Sequence, residues 1–388
     1  MTHPPLEIPA LQRLRRWSLL VALVAGILCA LGAWIDPDRF FPAYLVGYLF
    51  WLGISLGSLA IAMLHHLTGG GWGLPIRRIL EASYGNTLLL ALLFLPLVLG
   101  IQTLYPWARP EVIANDELVR QKIRYLNVPA WEVRAAVYFV LWAALGWLLS
   151  RWSAQEGPPG QRRRERRLVR LSGGGLIVWA LAVTFAAVDW VMSLEPHWYS
   201  SMFGVLFMGA QSVSGLSFAI LAASLLQSEP PWSSTLTASR LQDLSSLLLA
   251  FVMFWSYASF MQFLIIWSGN LPEDTPWYIH RSRGGWQIVA ALLAGLHFAV
   301  PFLLLLQRRI KREPRQLIRV ALLLLAMRMI DLAWLVLPTF SPGRFALSGW
   351  LLVTPLAIGG FWLSAFAWRL SIRAAIPVYD PAHARTTE

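Results

Sequence analysis

Ten apolar stretches, each long enough to cross a bilayer, occupy most of this chain. They fall at about 17–35, 41–66, 80–105, 130–152, 171–193, 202–227, 241–268, 284–307, 316–338 and 347–370. In hydrocarbon every backbone N–H and C=O needs a partner within the protein, so only helices and closed barrels can span. The stretches are continuous rather than alternating, which excludes a barrel. The expected fold is therefore all-α: a polytopic membrane protein with ten transmembrane helices.

Composition agrees. Across 388 residues the chain is 57% hydrophobic and 13% charged, more apolar surface than a soluble protein of this size can hide. The formal net charge of +12 would suggest nucleic acid in a soluble chain. Here the basic residues gather in alternate loops: Arg13, Arg15 and Arg16; Arg77 and Arg78; Arg162 to Arg170; Arg308 to Arg319; Arg369 and Arg373. Loops at the other ends carry Arg39, Arg109, Arg120, Lys122, Arg124, Arg281, Arg283 and Arg344, roughly balanced by acids, with Tyr105, Trp107, Trp198, Tyr199, Trp267, Trp277 and Tyr278 around them. That asymmetry predicts both termini in the cytoplasm and a membrane-lipid rather than a nucleic-acid environment.

Cys29 is the only cysteine, which excludes an intrachain disulfide, a Cys-ligated iron–sulfur cluster and haem attachment through Cys-x-x-Cys-His. The first apolar run ends at Asp36-Pro37 without a small-x-small site, so it is expected to be a retained span rather than a signal peptide.

Polar residues inside the spans show a duplicated pattern. Asp189 precedes Pro196 by seven residues, and Asp331 precedes Pro338 by seven, each at the same end of an apolar run. Glu81 and Asp243 open the third and seventh spans, and Gln102 and Gln262 come late in them. The long loop at 153–170 holds Gly157-Pro158-Pro159-Gly160, a hinge signal. We read one integral membrane domain, 1–388, made of two parallel four-helix repeats. Spans 2–5 (36–193) form one, spans 6–9 (194–338) the other, and spans 1 and 10 lie at the periphery.

An ionised carboxylate at membrane depth costs about 2.5 kcal/mol or more, so each asks for a reason. Two readings stand for Asp189 and Asp331, a functional group or a structural hydrogen-bonding one. Arg328 lies three residues before Asp331 on the same helical face, so those two are expected to form a buried ion pair. Glu195 and His197 flank Pro196, either as a proton-exchanging pair or as a solvated turn. Glu81 and Asp243 suit helix N-termini, where the macrodipole favours negative charge. His297 lies near mid-membrane and is expected to be hydrogen-bonded in the bundle or part of a proton path. Proton-path candidates are thus Glu81, Asp243, His297, Asp189, Glu195 and His197. No two histidines share a depth on facing helices, which argues against a bis-His haem. The sequence also lacks a phosphate-binding loop, a dinucleotide fingerprint and a metal-ligand cluster.

The stretch Asp189-Trp190-Val191-Met192-Ser193-Leu194-Glu195-Pro196-His197-Trp198-Tyr199-Ser200 resembles the signature of the ActF subunits of alternative complex III. Thr68-Gly69 through Trp72 with Arg77, Arg78 and Glu81, Tyr125-Leu126-Asn127-Val128-Pro129, Ile266-Trp267-Ser268-Gly269-Asn270-Leu271-Pro272-Glu273 and Arg328-Met329-Ile330-Asp331-Leu332 are similar too, in order, over about 35–340. Those subunits are similar in turn to the NrfD/PsrC family of ten-helix membrane proteins. The resemblance implies a cofactor-free subunit of a quinol:cytochrome c oxidoreductase in a bacterial cytoplasmic membrane. It implies an ActC-like sister subunit, and partner subunits whose iron–sulfur clusters and c-type haem carry the electrons. It leaves open whether this chain itself takes quinone or conducts protons.

Two other classes compete with that reading. A stand-alone secondary transporter suits the repeat and the buried charges, but its sites are usually built on interrupted helices, and only the isolated Pro96 and Pro301 hint at interruption. A purely structural membrane anchor is the third.

Overall fold

The computed structural model describes residues 8–153 and 161–374, with the side chains of 161–164 and 373–374 excluded. The hinge expected at 157–160 lies outside the described residues.

Among the described residues, ten helices are long and apolar enough to cross a membrane, and the fold is all-α. They are α1 (Pro9–Ile35), α2 (Pro37–Thr68), α3 (Arg77–Leu99), α4 (Val128–Ser153), α5 (Gln161–Trp190), α6 (Phe203–Leu225), α7 (Ala238–Gly269), α8 (Trp286–Leu306), α9 (Pro314–Val336) and α10 (Trp350–Ala374). Successive helices run up and down, so the arginine-bearing turns gather at one face and most of the interfacial tryptophans at the other.

α2 and α6 form the centre. The apolar window of α2 is 94% buried and that of α6 is 83% buried. α2 packs on α3, α5, α6, α9 and α10, while α6 packs on α7 and α9, and α8 leans on α7 and α9. α1 lies along α10 at the flank, and its outward side exposes Trp17, Val24, Ile27 and Trp34. The two central helices meet at glycine. A Cβ at Gly57 would strike the Gln211 carbonyl, and one at Gly215 would strike the backbone of Gly57 and Ser58. In lipid, close backbone approach is a principal source of helix association, because apolar side chains gain little by leaving apolar solvent.

Two spans depart from regular α-helix, contrary to the expectation of uninterrupted spans. α3 is built from the pieces Arg77–Tyr84, Thr87–Leu92 and Leu95–Leu99, extended by Ile101–Leu104. Phe94 N–H turns to Ala91 O (3.4 Å), and Pro96 has no N–H to give. Side chains of α2 take up carbonyls at these breaks: the Tyr48 hydroxyl donates to Leu90 O (3.0 Å) and the Tyr44 hydroxyl to Leu93 O (2.8 Å). In α8, residues Leu293–Ala299 form a π-helical turn, with Val300 N–H reaching back to Gly295 O. Pro301 explains the widening, since its ring crowds the carbonyl four residues earlier, at His297.

Candidate functional site

Asp189 is fully buried at the end of α5. Arg134 of α4 meets it with both prongs, Nε to Oδ2 at 2.8 Å and Nη2 to Oδ1 at 2.9 Å, and the Tyr138 hydroxyl donates to Oδ2 at 2.7 Å. Arg134 is oriented in turn by Tyr125, whose carbonyl accepts from Nη1 and whose ring lies 4.0 Å below the guanidinium. The Asp189 carbonyl accepts from Trp131 Nε1 and Ser193 Oγ. This carboxylate is a structural node joining α4 to α5. Bidentate charge-assisted bonds of this kind are among the stronger polar contacts in proteins.

Asp331 has different surroundings, although it stands at the matching place in the sequence. It pairs with Arg328 of its own helix, both residues being buried, and it also lines a cavity. The pair expected from the spacing is present.

Glu195 and His197 flank buried Pro196 but serve separate partners. Glu195 accepts from Arg281 Nη1 (2.8 Å) and from the Thr339 hydroxyl (2.8 Å). His197 Nε2 meets Asp116 Oδ2 at 2.7 Å, and Lys122 Nζ donates to Pro196 O at 2.6 Å. Asp116 also caps the short helix Glu117–Lys122. The backbone N–H of Val119, and after it His197, hold its carboxyl below the usual carboxylate value.

At the arginine-rich face, Glu81 is buried among Arg77, Arg78 and Ser153. Arg78 Nη1 binds its two oxygens at 2.9 and 2.7 Å, and the Ser153 hydroxyl donates to Oε1. The start of α3 is thereby clamped to the end of α4. Asp243, the residue matched to it in the sequence, is exposed. Gln102 is exposed as well, whereas its counterpart Gln262 is buried and lines the cavity. His297 lies in the π-helical turn, 1% exposed, with its ring 4.0 Å from that of Trp255. Neither ring nitrogen finds a hydrogen-bond partner among the described residues, which overturns the expected hydrogen-bonded histidine. Among the described residues the side chains of Asp189, Glu195 and His197 bond to Arg134, Arg281 and Asp116 rather than to one another.

The cavity encloses about 780 Å³ between α7, α8, α9 and the short helix Thr275–Arg281. Its walls are aromatic and aliphatic, with Phe260, Phe263, Trp277, Phe298 and Trp334 among them. It opens along α7, where Met253, Tyr257 and Phe260 are exposed. Polar groups gather at two poles. Asp331 and Trp255 make the deeper one, and Tyr278, Gln262 and Arg281, joined by the Gln262–Tyr278 bond and the Arg281–Leu335 bond, make the shallower one. Leu335, whose carbonyl accepts from Arg281, stands one turn beyond Asp331 on α9, so the two poles are about 6 Å apart along that helix.

At the shallow pole Gln262 Nε2 donates to the Tyr278 hydroxyl (3.4 Å), and Ser200 Oγ donates to Gln262 Oε1 (3.3 Å). Burial pushes the Tyr278 phenol up to about 12, so it remains a neutral donor at neutral pH. Arg281 is buried, stacked 3.7 Å from the Trp277 ring, and donates to the Trp277 and Leu335 carbonyls at 3.0 and 2.7 Å. Burial lowers its pKa and Glu195 opposes that shift. Sequence reasoning placed Arg281 in a balanced outer loop. The missed signal was Trp277-x-x-x-Arg281, the helical spacing that lets a guanidinium stack on an indole. The reading of Tyr278 as part of an interfacial belt is silent on its hydroxyl.

The arrangement suits a flat, amphipathic ring with a polar atom at each end, entering sideways from lipid. Comparison with family models gave no match, and comparison with curated proteins gave none.

Proposed function

We propose that this membrane protein is a non-haem subunit of a respiratory quinol-oxidising complex, and that the cavity between α7, α8 and α9 seats the quinol headgroup. The observation that carries the reading is the cavity's form: an aromatic slot open to the membrane, with hydrogen-bonding groups at two poles. Ligand sites are commonly apolar clefts with a few converging polar groups. The isoprenoid tail of a quinol leaves through the side where Tyr257 and Phe260 are exposed, and the ring stacks among Phe263, Trp277 and Trp334. The Tyr278 hydroxyl and the Gln262 amide hold the oxygen at the shallow pole, and the Asp331 carboxylate accepts from the hydroxyl at the deep one.

The resemblance to ActF subunits of alternative complex III supports the same reading. In that setting an ActC-like sister subunit and partners bearing iron–sulfur clusters and c-type haem accept the electrons. The arginine-rich face is cytoplasmic in this proposal, so the shallow pole lies toward the outside of a bacterial cytoplasmic membrane.

The test is made on the complex purified from native membrane. A quinone bearing a photoreactive ring is expected to label residues of α7 and α9, and Gln262→Leu with Tyr278→Phe is expected to reduce that labelling about tenfold, each lost hydrogen bond contributing about 0.5–1.5 kcal/mol. Labelling confined to other subunits, or unchanged in the double variant, overturns the site. Absence of haem and iron–sulfur proteins from the purified assembly overturns the complex.

A further inference from the structure

The turn between α8 and α9 concentrates positive charge that pairs with no acidic side chain among the described residues. Residues 308–319 contain Arg308, Arg309, Lys311, Arg312, Arg315 and Arg319 against Glu313 as the single acid. The short helix Arg308–Arg312 is fastened to α7 through neutral groups: Lys311 Nζ to Ser246 Oγ at 3.0 Å, and Arg312 Nε to Gln242 Oε1 at 2.7 Å. Arg308, Arg309, Arg315 and Arg319 are exposed and make no side-chain hydrogen bond or ion pair among the described residues. Arg308 and Arg312 are one helical turn apart, as are Arg315 and Arg319, so guanidiniums line both sides of the turn.

Two further features bear on what answers the charge. Arg315 stands in the first turn of α9, where the helix dipole is already positive and Glu313 makes no side-chain cap. Just inside the apolar zone, Leu303 and Leu306 of α8 and Leu322 of α9 are exposed, at 58%, 56% and 50%. The basic turn thus runs into exposed leucines on both of its helices. That order of chemistries along the membrane normal matches one molecule, an acidic headgroup carrying acyl chains. An acidic protein segment would satisfy the basic turn and leave the leucines uncovered.

We propose that the α8–α9 turn is a binding site for an anionic phospholipid, with the phosphate held by Arg308, Arg309, Arg315 and Arg319 and the acyl chains laid on Leu303, Leu306 and Leu322. Guanidiniums suit this role because they offer forked donors to phosphate oxygens. The site is independent of the cavity reading, because it lies at the opposite end of the same helices.

Native mass spectrometry of the full chain, stripped of lipid and titrated with cardiolipin or phosphatidylcholine, tests the site. Cardiolipin is expected to be retained preferentially, and each Arg→Gln change in the four is expected to weaken retention about fivefold. The set Arg13, Arg15 and Arg16→Gln controls for general charge and is expected to leave retention unchanged. Arg308, Arg309, Arg315 and Arg319→Lys keeps the charge and membrane orientation and is expected to retain part of the preference. Equal retention of both lipids overturns the proposal, as does equal loss in the control set. So does a photocrosslinker at position 309 that captures a protein rather than a lipid in native membranes.

Discussion

Arg134 and Asp189 close a fork-to-fork ion pair between α4 and α5, with both guanidinium prongs on both carboxylate oxygens at 2.8 and 2.9 Å. Asp189 is fully buried while the Arg134 side chain keeps 21% exposure, so the two partners are unequal. Loss of the arginine strands a charge in the interior. Loss of the acid leaves a cation near water. Arg134→Leu is therefore expected to cost about 3–5 kcal/mol, and Asp189→Asn clearly less. Thermal unfolding of both variants in the same detergent checks the order, and a reversed order removes the pair from its structural role.

Arg328 and Asp331 give the opposite case, since both are buried and they share one helix. Removing either is expected to cost about 3–5 kcal/mol, and replacing both with leucine less than either single change. A double-mutant cycle read by unfolding measures the coupling, and additive losses would remove it. Quinone labelling in Asp331→Asn, assayed in the same samples, separates the pair's structural part from its part in the cavity.

His297 carries two buried nitrogens without partners among the described residues. His297→Leu is expected to raise stability by about 1–3 kcal/mol, the desolvation cost of an unsatisfied polar group. If the residue also relays protons, the same variant lowers the number of protons released per quinol in sealed vesicles while the protein becomes more stable. A variant with unchanged proton count assigns the histidine to packing against Trp255.

The clamp of Asp116 on His197 and on the amides of Leu118 and Val119 predicts an acid-sensitive loop. Asp116 lies below its ordinary value of 3.8 in the folded protein, for which the Val119 N–H is the largest cause. Its contribution is therefore complete above the unfolded value and is lost as pH falls through the lower folded one. The protection of the Leu118 and Val119 amides, measured against the unstructured exchange rate at each pH, is expected to be steady above about pH 4 and to fall below it. In Asp116→Asn that step disappears, because the amide oxygen still caps the helix but no longer titrates. A step near neutral pH would assign the change to another group.

The ten spans were legible because a bilayer demands long continuous apolar runs, and Arg328 with Asp331 was legible because three residues on a helix share a face. Arg134 with Asp189 was not, since the partners are fifty-five positions apart and only packing brings α4 against α5. The match of Glu81 with Asp243 illustrates a further limit. Equal placement in two sequences does not impose equal surroundings, and one lies in an arginine clamp while the other faces outward. The breaks in α3 escaped notice because Pro96 reads as a lone irregularity, whereas the hydroxyls that make the breaks tolerable belong to α2, at Tyr44 and Tyr48.

The crossing of Gly57 and Gly215 limits how α2 and α6 can move against each other. Where main chains touch with no side chain between them, there is nothing to compress and no rotamer to turn aside, so sliding or separation breaks the contact outright. Rotation about the contact point leaves it intact. A pivot at that depth makes the two membrane faces move in opposite senses: tilting that widens the tryptophan-rich end of the α2–α6 seam narrows its arginine-rich end. A load applied by a partner at one surface would then be felt at the other with its direction inverted.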